Sequence, residues 1–256
     1  MPVKMIVTDL DETLLRTDKT ISEFTKNILN QCREASIKVV YATARGGSAE
    51  RIVPDSLVDG KIRMNGAIAK IGDKIIYECL IPYQLVRPLL IACDERGMKI
   101  TAESYGEIYS VHHVNEHMHT AYYNKHQILV DFTQHQIDSE KIFIVDIKPD
   151  DEAFIINHLP DNLYFLMSRG ENGFGMIMHR DATKSKAIAE LARVWGIEQS
   201  DTVAFGDDTN DIDLLEYCGI GVAMGNALDE VKAVADYICD TNNNDGVAKW
   251  LEDNVL

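Results

Sequence analysis

The chain has 256 residues, 46% of them hydrophobic, which is enough to bury one large domain or two modest ones. With 25 basic against 41 acidic residues the net charge is −16, which argues against a nucleic-acid or anionic-membrane surface, since both need a positive footprint. The 5 cysteines are odd in number, widely spaced and free of Cys-x-x-Cys spacing, so they read as reduced thiols of a cytoplasmic protein; no signal segment precedes the first apolar run and none reaches membrane-spanning length.

In chain order, apolar runs predict strands at Lys4–Thr8, Ile37–Tyr41 and Ile62–Met64, with a helix at Ser22–Ala35 between the first two. Ala67–Ile71 and Lys74–Glu78, joined by Gly72-Asp73, read as a small hairpin flanking them. The middle of the chain has a different character. A helix at Tyr83–Arg96 precedes strands Met98–Ala102 and Glu107–Ser110; strand Ile142–Ile147 and a helix at Asp150–Asn157 precede strands Tyr164–Ser168 and Gly175–His179. A helix followed by two strands, twice over, predicts an α+β domain with an antiparallel sheet. Strand and helix then alternate again: helix Ser185–Trp195, strand Thr202–Phe205, helix Ile212–Tyr217, strand Ile220–Ala223, helix Leu228–Ala235, strand Tyr237–Cys239 and helix Gly246–Asp253. Alternation at both ends predicts an α/β core, a doubly wound, Rossmann-like parallel sheet formed by residues 1–80 and 181–256, with residues 81–180 inserted in it.

The chemistry gathers where the predicted core strands end. Met5-Ile6-Val7 runs into Thr8-Asp9-Leu10-Asp11-Glu12-Thr13. Carboxylates at i and i+2 of an extended chain point the same way, and each raises the other's pKa unless a cation or a shared proton relieves them. An Asp-rich turn that caps a helix has the same composition. Val203-Ala204-Phe205-Gly206 likewise runs into Asp207, Asp208, Asn210 and Asp211, with no lysine or arginine between Asp201 and Lys232. Helix capping needs one or two such acids; three in five positions suit an oxygen site for Mg²⁺, completed by water and substrate phosphate. Val39-Val40-Tyr41-Ala42 ends in Thr43, Ala44, Arg45 and two glycines, a turn able to offer a hydroxyl and backbone N–H groups to phosphate. Lys184 opens a helix against the helix dipole, which calls for a local reason.

Together, in this order, Asp-x-Asp-x-Thr, a strand-terminal Thr, a Lys and Gly-Asp-x-x-Asn-Asp resemble the haloacid dehalogenase-like (HAD) superfamily. Asn65-Gly66-Ala67, Gly221 to Ala227 and Asp245 to Ala248 narrow the resemblance to its Cof-type sugar-phosphate phosphatase branch. The resemblance spans essentially the whole chain. It departs at Glu12, Ala44 and Ser185, where glycine is common; the first two place bulk or charge beside the phosphate pocket.

The resemblance implies a Mg²⁺-dependent phosphatase of small phosphorylated metabolites that works through an aspartyl-phosphate. Asp9 is then the nucleophile and Asp11 the general acid and base. Mg²⁺ is held by Asp9, the Asp11 backbone carbonyl and Asp207, with Asp211 orienting that site from behind. Leu10, Thr43, Ala44, Lys184 and Asn210 bind the phosphoryl group. Arg45, Asn65 and Arg169 are candidate substrate contacts, and the insert is a cap that selects the substrate. The histidines between His112 and His119 read as structural or substrate-contacting. A phosphosugar mutase of the same superfamily shares every motif. A signalling receiver domain shares the acceptor Asp, Thr and Lys but lacks the second Asp and needs no insert of this size. The motifs leave the physiological substrate and the oligomeric state open.

Overall fold

The computed structural model describes residues 3–111, 127–167 and 174–256. The expected His112–His119 cluster and Arg169 lie outside the described residues. The chain forms two compact units, Met1–Glu78 with Thr183–Leu256, and Cys79–Ala182.

The first unit is built on an eight-stranded sheet. Its strands are β1 (Met5–Thr8), β2 (Lys38–Ala42), β3 (Gly60–Arg63), β4 (Ile68–Ile71), β5 (Lys74–Glu78), and, from the second segment, β12 (Thr202–Gly206), β13 (Ile220–Ala223) and β14 (Tyr237–Ile238). They lie in the order β14-β13-β12-β1-β2-β3-β4-β5. Pairing is parallel from β14 to β3 and antiparallel across β3, β4 and β5. β1 is central, and Met5, Ile6 and Val7 are wholly buried. A strand covered on both faces must be apolar at every position, which is why it reads as a continuous run and does not alternate.

The hairpin is part of this sheet and extends its edge. The chain reverses after β3 through Met64, Asn65 and Gly66, all with positive φ (50°, 51° and 103°). Only Gly66 is irreplaceable by sterics: a Cβ there would stand 2.1 Å from the Thr183 carbonyl oxygen. That contact brings the turn against the start of the Lys184–Trp195 helix. The helix is capped by Thr183, whose side chain accepts from the Lys186 N–H, and ends at Gly196 in the left-handed conformation. Ala187, Ile188, Leu191 and Ala192 form its buried stripe.

The second unit carries a six-stranded sheet of β6 (Lys99–Ser104), β7 (Glu107–Ser110), β8 (Gln127–Leu129), β9 (Lys141–Val145), β10 (Leu163–Met167) and β11 (Gly175–His179). The order is β10-β11-β9-β6-β7-β8, antiparallel except for β7 with β8. The Tyr83–Glu95 and Pro149–His158 helices bury Val86, Leu90, Cys93 and Ile155 against Ile100, Ala102, Ile142, Ile144 and Ile177. Strand β8 is absent from the sequence expectation because three residues cannot display a period of two. Among the described residues no helix is long and apolar enough to cross a membrane.

Candidate active site

The carboxyl ends of β1, β2 and β12 lie side by side in the sheet, so whatever follows each strand is brought together. Asp9 extends β1 by one ladder bond, its N–H donating to the Phe205 carbonyl at 3.0 Å. A wide turn over Leu10–Leu14 follows, pinned by the Leu15 N–H donating to the Leu10 carbonyl at 2.7 Å and by burial of Leu10, Leu14 and Leu15. Thr43 is held at the end of β2: its N–H donates to the Ile62 carbonyl and its own carbonyl accepts from Asn65 N–H, both at 3.0 Å.

At the end of β12, Gly206 has a packing role. A Cβ there would lie 2.4 Å from the Asp211 Cβ, so glycine admits the Asp211 side chain against the strand end. Asp211 is fully buried. Its Oδ2 accepts from the Asp207 and Asp208 N–H groups at 3.0 and 3.2 Å. Its Oδ1 accepts from Lys184 Nζ at 2.5 Å.

Lys184 is the hub. Its side chain is fully buried, and Nζ lies 2.7 Å from Asp9 Oδ1 as well as 2.5 Å from Asp211 Oδ1. Burial opposes its charge, but the two carboxylates outweigh burial and raise its pKa further. This pairing supplies the local reason for a lysine at a helix N-terminus.

Asp9, Asp207 and Asp211 each offer a carboxylate oxygen, and these oxygens lie within 4.8 Å of one another. Burial pushes the Asp9 carboxyl up to about 8, with Lys184 pulling it down and Asp211 and Asp207 adding to the rise. Burial also pushes Asp207 up to about 7, aided by Asp211 and Asp208 and opposed by Thr13 and Lys184. Thr13 Oγ1 donates to Asp207 Oδ1 at 2.5 Å, a link that joins the β1 turn to the β12 end.

Asp11 stands apart from that cluster. Burial works against its charge, yet hydrogen bonds from Arg45 and Lys19 hold its carboxyl below the usual range. The Arg45 pair is bidentate, Nε to Oδ2 at 2.5 Å and Nη2 to Oδ1 at 2.6 Å. Lys19 Nζ lies 3.0 Å from Asp11 Oδ1 and 3.0 Å from Glu12 Oε1.

Of the residues singled out from sequence, Asp9, Asp211 and Lys184 are buried together, with the half-buried Asp207 beside them. Arg45 is engaged by Asp11, and Asn210 Nδ2 donates to Asn65 Oδ1 at 2.9 Å. Leu10 and Ala44 sit in the turns after β1 and β2. Glu12 follows Asp11 at a position where glycine is common. Its φ is +57°, which explains why glycine suits the position, and its carboxylate is drawn aside by Thr17 (2.9 Å), Lys19 and Asn242 (3.0 Å). Lys19 and Thr13 were not among the candidates. Thr13 had a signal as the final residue of Asp-x-Asp-x-Thr; Lys19 had none.

A family model described as haloacid dehalogenase-like hydrolase matches residues 6–251. Over 261 residues the chain is 27% identical to the 5-amino-6-(5-phospho-D-ribitylamino)uracil phosphatase YitU of Bacillus subtilis (strain 168), spanning 97% of this chain and 96% of that protein. The crystal structure of a haloacid dehalogenase-like hydrolase from Bacteroides thetaiotaomicron matches with a TM-score of 0.84 and 27% identity, over 98% of this chain and 99% of that one. The HAD subclass IIB sugar phosphatase BT4131 matches with a TM-score of 0.79 and 26% identity, over 98% of both chains. With a family model matched over nearly its full length, the chain belongs to the haloacid dehalogenase-like hydrolases, in their Cof-type branch of phosphatases.

Proposed function

We propose that the protein hydrolyses small phosphomonoesters, sugar phosphates or compounds of similar size, through an aspartyl-phosphate on Asp9. The observation that carries this reading is the buried Lys184 ammonium between Asp9 and Asp211, beside Asp207. An anionic nucleophile can meet an anionic phosphate only where positive charge is fixed in advance, and Lys184 is such a charge.

The acidic cluster fits a divalent cation. Two carboxyls raised by burial and by neighbouring carboxylates, Asp211 above all, gain from an ion that neutralises both. Both Asp211 oxygens are already engaged by Lys184 and backbone N–H groups, which leaves Asp9 and Asp207 as the carboxylates that would hold Mg²⁺ with Asp211 orienting them; the family resemblance adds the Asp11 carbonyl. When bound, Mg²⁺ supplies charge neutralisation between nucleophile and phosphate.

The chain's own residues then divide the work. Asp9 attacks phosphorus and expels the alcohol, whose oxygen takes a proton from Asp11. Asp11 next takes a proton from the water that cleaves the acyl-phosphate. Thr43, Asn210 and the N–H groups of Leu10 and Ala44 bind the phosphoryl oxygens alongside Lys184. Held by Arg45 and Lys19, Asp11 rests as a carboxylate; when the phosphate dianion draws Arg45 toward itself, Asp11 takes from water the proton that it then gives to the alcohol. Asn65 contacts the substrate, and the Cys79–Ala182 unit acts as the cap that selects it. The phosphoribityl compound named for YitU is a phosphomonoester of this class.

The test is release of free phosphate from a panel of phosphomonoesters, with quenched mass spectrometry of the Asp11→Asn variant on 4-nitrophenyl phosphate. We expect phosphate on the Asp9-containing peptide, and none in Asp9→Asn, which should turn over at background. Label on another residue, or full turnover by Asp9→Asn, refutes the mechanism.

A further inference from the structure

We infer that Lys19, anchored by Glu12, is a positioning residue for Asp11, a role that rests on Asp11 being the proton-transfer group. Two cations hold the Asp11 carboxylate, and they hold it differently. Arg45 spans both oxygens through Nε and Nη2, and in the mechanism proposed above it is the cation that turns to the phosphate. Lys19 approaches Oδ1, at 3.0 Å, as a single ammonium, while Oδ2 is taken by Arg45 Nε at 2.5 Å. Its ammonium is tied equally closely to Glu12 Oε1, at 3.0 Å.

Glu12 is itself tied down. Its Oε2 accepts from Thr17 Oγ1 at 2.9 Å and from Asn242 Nδ2 at 3.0 Å, and its carbonyl accepts from Asn226 Nδ2 at 2.8 Å. Asn242 is buried and also donates to the Leu15 carbonyl at 3.1 Å. The anchor therefore reaches from the turn after β1 into the C-terminal segment. Backbone conformation points the same way. Glu12 and Lys19 both adopt positive φ, +57° and +65°, conformations that cost a non-glycine residue free energy. Two side chains kept at such positions and bonded to each other suit a device with a purpose.

When Arg45 turns to the phosphate, Lys19 keeps Asp11 in place. In the first half-reaction the Asp9–phosphorus bond forms, the phosphorus–oxygen bond to the alcohol breaks, and the Asp11 proton passes to the leaving oxygen. In the second, Asp11 receives a proton from the attacking water and the Asp9–phosphorus bond breaks. Lys19 exchanges no proton in either step. It sets the distance over which Asp11 works.

The experiment is steady-state kinetics on an alkyl phosphomonoester for Lys19→Met, Lys19→Arg, Glu12→Gly and the Glu12→Gly, Lys19→Met double variant, with Lys26→Met as a surface-lysine control. Well-placed acid–base groups contribute about 10²–10⁴-fold, so loss of placement alone should lower kcat about tenfold in Lys19→Met while KM stays within about twofold. Lys19→Arg should recover most of that loss. Glu12→Gly relieves the positive φ and so keeps the fold, yet it should slow kcat by removing the anchor. Adding Lys19→Met to it should cost less than in the parent, because the two act as one unit. A raised KM at unchanged kcat, fully additive effects, or no rescue by arginine at an unchanged melting temperature overturns the proposal. If the parent protein releases no phosphate from any ester, the phosphatase reading itself fails and this inference falls with it.

Discussion

Replacing Asp207 by asparagine should make the metal-free protein more stable while destroying its response to Mg²⁺. The Asp207 carboxyl is pushed from its ordinary 3.8 up to about 7 by burial and by Asp211 and Asp208. The sign follows from proton counting. Below pH 4 both folded and unfolded chains carry the proton and the group contributes nothing. Between pH 4 and 7 the folded chain binds more protons than the unfolded one, so stability falls as pH rises. Above 7 the penalty is complete. A carboxyl held near 7 and not near 4 costs about 4 kcal/mol once ionised, at about 1.4 kcal/mol per tenfold. Partial contact with water reduces this to about 2 kcal/mol. Asparagine keeps an oxygen for the Thr13 hydroxyl, which donates to Oδ1 at 2.5 Å, and removes the charge.

The assay is thermal unfolding at pH 8 and at pH 4, in EDTA and in saturating Mg²⁺. In EDTA at pH 8 the variant should melt about 4–8 °C above the parent. At pH 4 the two should coincide. Mg²⁺ should raise the parent's melting temperature, because it binds the folded state alone, and leave the variant unmoved. A variant that melts below the parent in EDTA at pH 8, or one that keeps the full Mg²⁺ shift, refutes the account of the acidic cluster.

Lys184→Met removes the ammonium that lies 2.7 Å from Asp9 and 2.5 Å from Asp211, leaving two buried carboxylates without a cation. Breaking such a pair costs about 3–5 kcal/mol, seen by urea denaturation and largest at alkaline pH; a loss under about 1 kcal/mol contradicts it. Gly66→Ala places a Cβ 2.1 Å from the Thr183 carbonyl at a φ of +103°, so it should cost more than about 4 kcal/mol or prevent folding. It should abolish turnover as well, since the same contact seats Lys184. An alanine variant with the parent's melting temperature would show that the turn can shift freely.

Much of the core was legible along the chain, and for one reason. Strands buried on both faces must be apolar throughout, so Met5–Thr8, Thr202–Gly206 and Ile220–Ala223 stand out without any partner in view. Alternation with amphipathic helices then implies parallel pairing. The hairpin Ile68–Ile71 with Lys74–Glu78 was also legible, but its place at the sheet edge was not, because it depends on the Met64–Gly66 reversal and on Thr183 far along the chain. The three residues of Gln127–Leu129 were too few to announce a strand.

For the site, residue types and their order carried the carboxylates after β1 and β12 and the lysine that opens the Lys184–Trp195 helix. That information is local: a strand end followed by acids. What the acids and cations do to one another is not. Lys184 meets Asp9 across 175 positions of sequence, and Asn242 meets Glu12 across 230. Whether Glu12 would project toward the phosphate pocket or turn aside was set by its positive φ and by partners that arrive only when the C-terminal segment folds back. Lys19 gave no sign in sequence, since a lysine in a polar turn looks the same whether it faces water or Asp11. The sequence determined which groups arrive at the strand ends, because strand periodicity and turn chemistry act between neighbours; the tertiary structure alone decided which charges face each other, because electrostatic pairing depends on distance through space and on exclusion of water.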